Sequence, residues 1–159
     1  MVMPSGFTSH IKKIDTYDGE IEEAYPPMSV TLLLEDDIDI SRGDMIVREN
    51  NVPHNEQDLD VMVCWFHERP LQLRGKYAIM HTTQDARCII KDIKYKMDIN
   101  TLHRDLEDKQ INMNDIARIS IRTTKPLFHD AYRKNRITGS VIFIDEATNE
   151  TVGAGMIVG

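Results

Sequence analysis

The sequence has few cysteines, no long apolar run and no excess of positive charge. Its two cysteines, Cys64 and Cys88, are too few for a disulfide framework. No apolar stretch approaches the roughly 18 residues that a membrane-spanning helix requires, so we expect no membrane partner. The formal net charge is −7. The surface as a whole therefore repels phosphate backbones, and we expect no nucleic-acid partner.

Motifs of catalysis and nucleotide binding are also absent. The chain has no GxSxG and no HExxH, and its only Gly-Lys pair, Gly75-Lys76, precedes Tyr77 rather than the Ser or Thr of a phosphate-binding loop. The start, MVMPSGFTSH, lacks the charged and apolar segments of a secretory signal, which predicts a cytoplasmic protein. We therefore expect a chain with no catalytic, cofactor-binding or metal-binding residues of its own.

Apolar residues alternate with polar ones along most of the chain, which predicts an all-β fold. The clearest strand contains LDVMVCWF, in which Leu59, Val61, Val63 and Trp65 share one face. Because the opposite face is also apolar, we expect this strand to be buried on both sides. Further strands are predicted in TSHIKKI, MSVTLLLE, DMIV, KYAIMHTT, CIIKDIKYKM, IARISIRT, SVIFID and TVGAGMIV, and residues 100–114 are predicted to form a loop.

A polar segment, RENNVPHNEQD, separates two groups of predicted strands. It lacks an apolar pattern and contains a proline, as linkers often do. We predict the C-terminal part of a β-barrel in residues 1–49, a linker in residues 50–57 and a second, complete barrel in residues 58–159. A few short strands cannot close a barrel. The first unit should therefore expose strand edges, and self-associate or be disordered before the linker.

Two groups of residues resemble metal sites only in part. A helix-loop-helix calcium loop starting at Asp37 needs glycine at its sixth position and glutamate at its twelfth, where this sequence has Arg42 and Arg48. Arg42-Gly43-Asp44 is therefore interpreted as a turn. A zinc site could be assembled only from Cys64, His67, His81 and Cys88, of which Cys64 and His67 alone are closely spaced. A Cys-His nucleophile is equally disfavoured, because the sequence indicates no third residue to orient the histidine.

Longer phrases of the sequence match a known family. Residues 3–47 contain MPSG, TYDG, EEA, VTL and LEDDIDISRGDM, and HTT, DINTLHR, NRITGSVIFID and TVGAGMI follow in the order typical of that family. On these phrases, nearly the whole chain resembles the large, GTP-binding subunit of bacterial heterodimeric sulfate adenylyltransferase, a relative of elongation factor Tu. The resemblance implies two consecutive elongation-factor-like β-barrels, the first incomplete, that follow a GTPase domain.

The same resemblance implies a function for the parent protein. Enzymes of this kind couple GTP hydrolysis to the formation of adenylyl sulfate from ATP and sulfate, the first step of sulfate assimilation. Mg-GTP binds the GTPase domain, and a separate small subunit carries out the nucleotidyl transfer. The chain is then expected to be a non-catalytic C-terminal fragment whose partners are the small subunit and its own GTPase domain. A fused adenylylsulfate kinase in the parent stays an open question.

A cationic segment, YRKNR, contributes to the expected interface. Cations beside a tyrosine suit phosphate or an acidic partner, although such a segment is also typical of a solvated loop. The alternatives are a translation-factor-like barrel that binds RNA or protein, and a free-standing metal-binding barrel. The residues expected to face the small subunit or the GTPase domain lie on two loops and are His81, Thr82, Thr83, Arg133, Asn135 and Arg136.

Overall fold

The computed structural model describes residues 1–159, and the all-β prediction is confirmed: the chain forms twelve strands and no helix. No element is a helix with the length and apolar composition needed to cross a membrane. The chain divides into two compact units, Met1–Val52 and Pro53–Gly159. The division lies inside the segment predicted as the linker, residues 50–57.

The first unit contains two small antiparallel sheets. Its strands are β1 (Val2–Met3), β2 (Ile11–Thr16), β3 (Gly19–Ile21), β4 (Thr31–Leu34) and β5 (Met45–Ile46). Strand β2 lies between β3 and β4, and β1 pairs with β5, so neither sheet closes on itself. Val2 is the only apolar residue of this unit that is fully buried. The unit therefore has the open edges and the small core expected of an incomplete barrel.

The first unit also carries the charge imbalance of the chain. Eleven acidic and four basic residues lie in residues 1–52, which accounts for the whole formal net charge of −7. The second unit has fifteen residues of each sign and is formally neutral. Any repulsion of anions by this protein therefore originates mainly in the first unit.

The second unit is a closed six-stranded barrel. Its strands are β6 (His54–Trp65), β7 (Lys76–His81), β8 (Gln84–Met97), β9 (Arg104–Asp105), β10 (Ile116–His129), β11 (Ser140–Ile144) and β12 (Thr151–Ile157). The antiparallel strand order is β10-β6-β12-β11-β7-β8, and β8 also pairs with β10, which closes the barrel. The short strand β9 pairs with the end of β8 and is not one of the six barrel strands. Closure leaves no open edge among the six strands.

Alternating side chains from every barrel strand fill the interior, as the period of two requires. From β6, Leu59, Val61, Val63 and Trp65 point inward and are buried. The expectation that this strand is buried on both sides is wrong. Cys64 on its outer face is half-buried, and Phe66, directly after the strand, is 43% exposed. In a barrel the outer face of a strand has no second layer of this unit against it.

Several element boundaries differ from the prediction. Strand β6 begins at His54, because residues 54–56 pair with Leu127–His129 after a break in the register of β10. Residues 54–57, which were predicted to belong to the linker, are therefore strand. Residues 100–114, predicted as a loop, include β9, whose backbone pairs with the end of β8. The two-residue strand β1 and the three-residue strand β3 were not predicted, because such short pairings leave no periodic pattern.

Glycine at position 155 permits the close packing of the barrel interior. A Cβ atom built at Gly155 would lie 2.3 Å from Cγ1 of Val61 and 3.0 Å from Cγ2 of Val141. Both valines are fully buried and come from different neighbouring strands. A side chain at this position therefore has no space unless the barrel wall moves.

We expect Gly155→Ala to lower the free energy of unfolding by about 1–3 kcal/mol, because overpacking forces the surrounding side chains away from their preferred rotamers. Met156→Ala, at the adjacent outward-facing position, serves as the control and is expected to have a smaller effect. Urea denaturation of both variants measures the difference. Equal stability of Gly155→Ala and the wild-type protein would contradict the packing described for this position.

Candidate functional site

The residues predicted to form an interface lie at one end of the barrel. Strands β7 and β8 meet there in a tight turn at Thr82 and Thr83, and Thr82 has a φ of 52°. The loop from residue 130 to residue 139 connects β10 to β11 at the same end. We refer to residues 81–83 and 130–139 together as the loop pair.

A single hydrogen bond joins the two members of the loop pair. The Nε2–H of His81 donates to the carbonyl oxygen of Thr138 over 2.7 Å. The side chain of His81 points into the barrel and the residue is only 1% exposed. His81 therefore positions the two loops relative to each other and is not available for direct contact with a partner.

The longer loop is also stabilised internally. Asp130 accepts hydrogen bonds from Lys134 over 2.8 Å and from the hydroxyl of Thr138 over 3.1 Å. The Lys134 ammonium, with a smaller contribution from Thr138, holds the pKa of Asp130 below its usual range. The side chain of Asn135 accepts the backbone N–H of Ile137 over 3.0 Å, which shapes the turn before β11. The loop thus has a defined conformation without contact with another molecule.

Gly139 allows this loop to fold back on itself. A Cβ atom at this position would lie 2.4 Å from the Cα of Tyr132 and 2.7 Å from the backbone oxygen of Asn135. Both of these atoms belong to the backbone, so a side chain could not be accommodated by a simple rotamer change.

The six predicted interface residues consequently have different surroundings. Thr82, Thr83, Arg133 and Arg136 are exposed, whereas His81 is buried and Asn135 is half-buried. Ile137, which was not predicted, is 71% exposed between the two arginines and β11. The exposed surface of the loop pair is therefore cationic with one apolar side chain, which suits an acidic protein surface. Its use as an interface stays a prediction.

Two further histidines lie near the loop pair and were not singled out in the sequence. The rings of His54 and His129 are 5.7 Å apart between centroids. His129 is buried, and its Nδ1 lies 3.2 Å from the carbonyl oxygen of Leu127. They are 75 positions apart in the sequence and meet only because β6 pairs with the last residues of β10. No local sequence signal could have shown this proximity.

The structure also accounts for the residues that were considered as a calcium loop, a reactive thiol or a zinc site. Asp44 accepts the backbone N–H of Ser41 over 2.9 Å and donates its own backbone N–H to the Ser41 carbonyl, so Arg42-Gly43-Asp44 is a turn. Burial raises the pKa of Cys88 to about 12, which keeps its thiol protonated and poorly nucleophilic. No group of three or more His, Cys, Asp or Glu side chains is arranged to hold a metal ion.

A charged network covers the outer face of β6, β8 and β10. Asp60 accepts hydrogen bonds from Lys94 over 2.6 Å, from Ser120 over 2.6 Å and from Arg118 over 2.8 Å. Partial burial raises the pKa of Asp60, but the three hydrogen bonds together outweigh burial and lower it to about 2. Next to this group, Asp58 pairs with Lys91 and Arg122. These four cations are therefore already engaged with carboxylates of the same barrel.

Comparison with known proteins assigns the chain to a group of relatives. A family model described as GTP-eEF1A C-terminal domain-like matches residues 58–158. The bifunctional enzyme CysN/CysC of Rhodopirellula baltica is 45% identical over 157 residues, covering 99% of this chain and 24% of that protein. Sulfate adenylyltransferase subunit 1 of Bacteroides fragilis is 45% identical over 158 residues, covering 99% of this chain and 33% of that protein.

The chain spans about a quarter to a third of the length of these curated relatives. Among solved structures, sup35 complexed with GDP superimposes with a TM-score of 0.86 over 100% of this chain and 39% of its own. Its sequence identity is 18%. At 18% identity, the structural similarity to sup35 shows a shared fold and nothing more specific.

The charged network generates a prediction for stability. We expect Asp60→Asn to lower the free energy of unfolding by about 2 kcal/mol at pH 7, because the pKa of Asp60 is depressed in the folded state. A depressed carboxyl pKa stabilises the fold above the unfolded-state value of about 3.9, and this stabilisation is lost as the pH falls towards 2. Urea unfolding at pH 7 and pH 3 should show a smaller difference between the two proteins at pH 3. A difference independent of pH would contradict the assigned pKa.

The buried imidazole generates a second pH dependence. Burial, with a smaller contribution from nearby His129, lowers the pKa of His81 despite its hydrogen bond to Thr138. Below the unfolded-state pKa of about 6.5, the unfolded chain binds a proton that the folded chain resists, so stability is full above this pH and falls below it.

His81→Gln keeps a donor for Thr138 but cannot be protonated. We expect the wild-type protein to lose more stability than this variant between pH 7.5 and pH 5.5, as measured by thermal unfolding. Equal losses in the two proteins would show that His81 does not titrate below its usual range.

Proposed function

The chain belongs to the GTP-eEF1A C-terminal domain-like family, and from this premise we propose that it is the non-catalytic β-barrel portion of a sulfate adenylyltransferase subunit 1. The observation that carries the proposal is the 45% identity over 99% of the chain to relatives of that name. The sup35 structure has a similar fold but only 18% identity. The chain is therefore much more similar in sequence to the sulfate adenylyltransferase subunits than to sup35.

In this proposal the parent protein couples GTP hydrolysis to the formation of adenylyl sulfate from ATP and sulfate. Mg-GTP binds a GTPase domain of the parent, and the nucleotidyl transfer takes place on a separate small subunit in the cytoplasm. Three of the relatives are named as bifunctional CysN/CysC enzymes. A parent with a second enzyme activity is thus compatible with the barrel described here.

The proposed role of the second unit is mechanical. A closed barrel with a filled interior moves as a rigid body, so a displacement at one end is transmitted to the other without deformation. The loop pair supplies a contact surface at one end, with Arg133 and Arg136 directed to solvent. We propose that it faces an acidic surface of the small subunit or of the GTPase domain.

Binding of RNA is the alternative that the fold allows. Against it stand the net charge of −7 and the pairing of Lys91, Lys94, Arg118 and Arg122 with carboxylates of the same barrel. Neutralised cations release few counterions on binding a phosphate backbone. Salt-dependent binding to bulk transfer RNA would favour this alternative over the proposed function.

The proposal is tested by assembly of the full-length parent with its small subunit. Arg133→Ala combined with Arg136→Ala is expected to weaken binding about fivefold or more and to reduce its salt dependence, because rim cations mainly steer association. Lys76→Ala with Lys125→Ala, two exposed lysines outside the loop pair, is the matched control.

Titration calorimetry at two salt concentrations measures both effects. If both double variants assemble like the wild-type protein and hydrolyse GTP normally, the loop pair is not the contact surface. If the wild-type parent does not bind a small subunit at all, the proposed function itself is wrong.

A further inference from the structure

The hairpin that joins β8 to β9 exposes large apolar side chains. Ile99 is 61% exposed, Leu102 is 73% exposed, and Leu106, directly after β9, is 65% exposed. These three residues lie within eight consecutive positions of the chain. We refer to residues 98–106 as the apolar hairpin. Exposed apolar side chains scattered singly need no explanation, but a group on one projecting element indicates a contact surface.

Hydrogen bonds give the apolar hairpin a defined shape. Asp98 donates its backbone N–H to His103 over 2.9 Å, and its backbone oxygen accepts the N–H of Leu102 over 2.7 Å. The carboxylate of Asp98 accepts the backbone N–H groups of Asn100 and Thr101. Little conformational entropy is therefore lost when the tip of the hairpin is bound, which favours its use in recognition.

Leucine is an unfavourable residue for the backbone conformation of position 102, where the N–H closes the turn by donating to the backbone oxygen of Asp98. Its φ of 59° lies in the left-handed region, where glycine and asparagine are the favoured residues. Arg74, Thr82, Asn114 and Asn149 occupy that region elsewhere in the barrel, and Asn149 closes the same kind of turn as Leu102. Leucine at position 102 gains almost no burial in return, because nearly three quarters of it is exposed. A contact that buries this side chain outside the chain accounts for its presence.

The charges around the apolar hairpin restrict the chemistry of its partner. Backbone N–H groups donate to the carboxylates of Asp98 and Asp105 and lower the pKa of both, so both stay ionised. Glu107 adds an exposed acid. The one arginine of the hairpin, Arg104, is exposed and lies over the ring of Tyr95 at 4.9 Å from its centroid. Three carboxylates against one arginine in residues 98–107 favour a basic protein surface over an anionic membrane or a nucleic acid.

The apolar hairpin lies at the opposite end of the barrel from the loop pair. Strand β8 begins at Gln84, next to the loop pair, and ends at Met97, next to the hairpin. Contacts at the two ends are therefore separate surfaces on one rigid body, and each can be altered without changing the other.

We propose that Ile99, Leu102 and Leu106 insert into an apolar pocket with a basic rim on the partner subunit of the parent enzyme. This inference rests on the proposed function, since a protein named as subunit 1 implies another subunit. The side chains act as apolar anchors, and the surrounding carboxylates orient the hairpin towards the rim.

Leu102→Asn in the full-length parent separates docking from folding. Asparagine is favoured at positive φ, so we expect the unfolding temperature to stay the same or rise, while the Kd for the purified partner subunit increases about tenfold or more. Leu73→Asn, at a leucine 56% exposed outside the hairpin, is the matched control and should bind like the wild type. Ile99→Asn provides a second variant if Leu102→Asn proves unstable, with the same expected loss of binding.

Charge reversal tests the rim separately. Glu107→Lys is expected to weaken binding to the partner subunit about fivefold at low salt and less at high salt, because only the electrostatic contribution is screened. Unchanged binding of this variant at both salt concentrations would contradict the proposal that the partner's pocket has a basic rim.

The possible failures are distinguishable. If the wild-type parent binds the partner subunit and both hairpin variants bind equally well, the apolar hairpin is not the docking element, but the proposed function stands. If the wild-type parent binds no partner subunit, the proposed function and this inference fail together. Sedimentation with phosphatidylcholine vesicles that is lost in Leu102→Asn would assign the hairpin to a lipid surface and overturn the inference.

Discussion

Closure of the barrel by β10 is the constraint on which the remaining structure depends. This strand pairs with β6 on one side and with β8 on the other, so its loss would open a cylinder into a sheet with two free edges. Ala117, Ile119 and Ile121 of this strand are fully buried inside the cylinder. The same strand supports the outer charged network through Arg118 and Ser120. Interior packing and outer ion pairs therefore stabilise the same closure.

The closed barrel also determines where contacts can form. The backbone N–H and C=O groups of its six strands form hydrogen bonds with one another. The loops at the two ends are therefore the sites where side chains project freely. At one end, His81 fixes the cationic loop pair through Thr138. At the other end, Asp98 fixes the apolar hairpin. The two surfaces differ in charge and polarity, so each suits a contact surface of different chemistry.

Much of the fold could be predicted from sequence because barrel strands repeat an inside-outside pattern. The inward residues of β6 were predicted from this pattern, and the resemblance carried by LEDDIDISRGDM and TVGAGMI indicated the family. Pairing of residues 54–56 with Leu127–His129 could not be predicted, since long-range register leaves no local signal. For the same reason, the sequence suggested His81 as a contact residue, although its side chain is a buried support. Residues 100–114, which include most of the apolar hairpin, were predicted as a loop because the helical spacing of Leu102 and Leu106 lies in a short and polar stretch.

Amide hydrogen exchange of the β10 residues 117–121 tests barrel closure most directly. If closure is the central constraint, the amides that face β6 and those that face β8 exchange only through global unfolding, with the same free energy of opening. Faster exchange confined to the β8-facing amides would show that the β8–β10 seam opens while the other pairings persist. The second unit would then be an open sheet in solution, and the transmission of movement from one end to the other would have no structural basis.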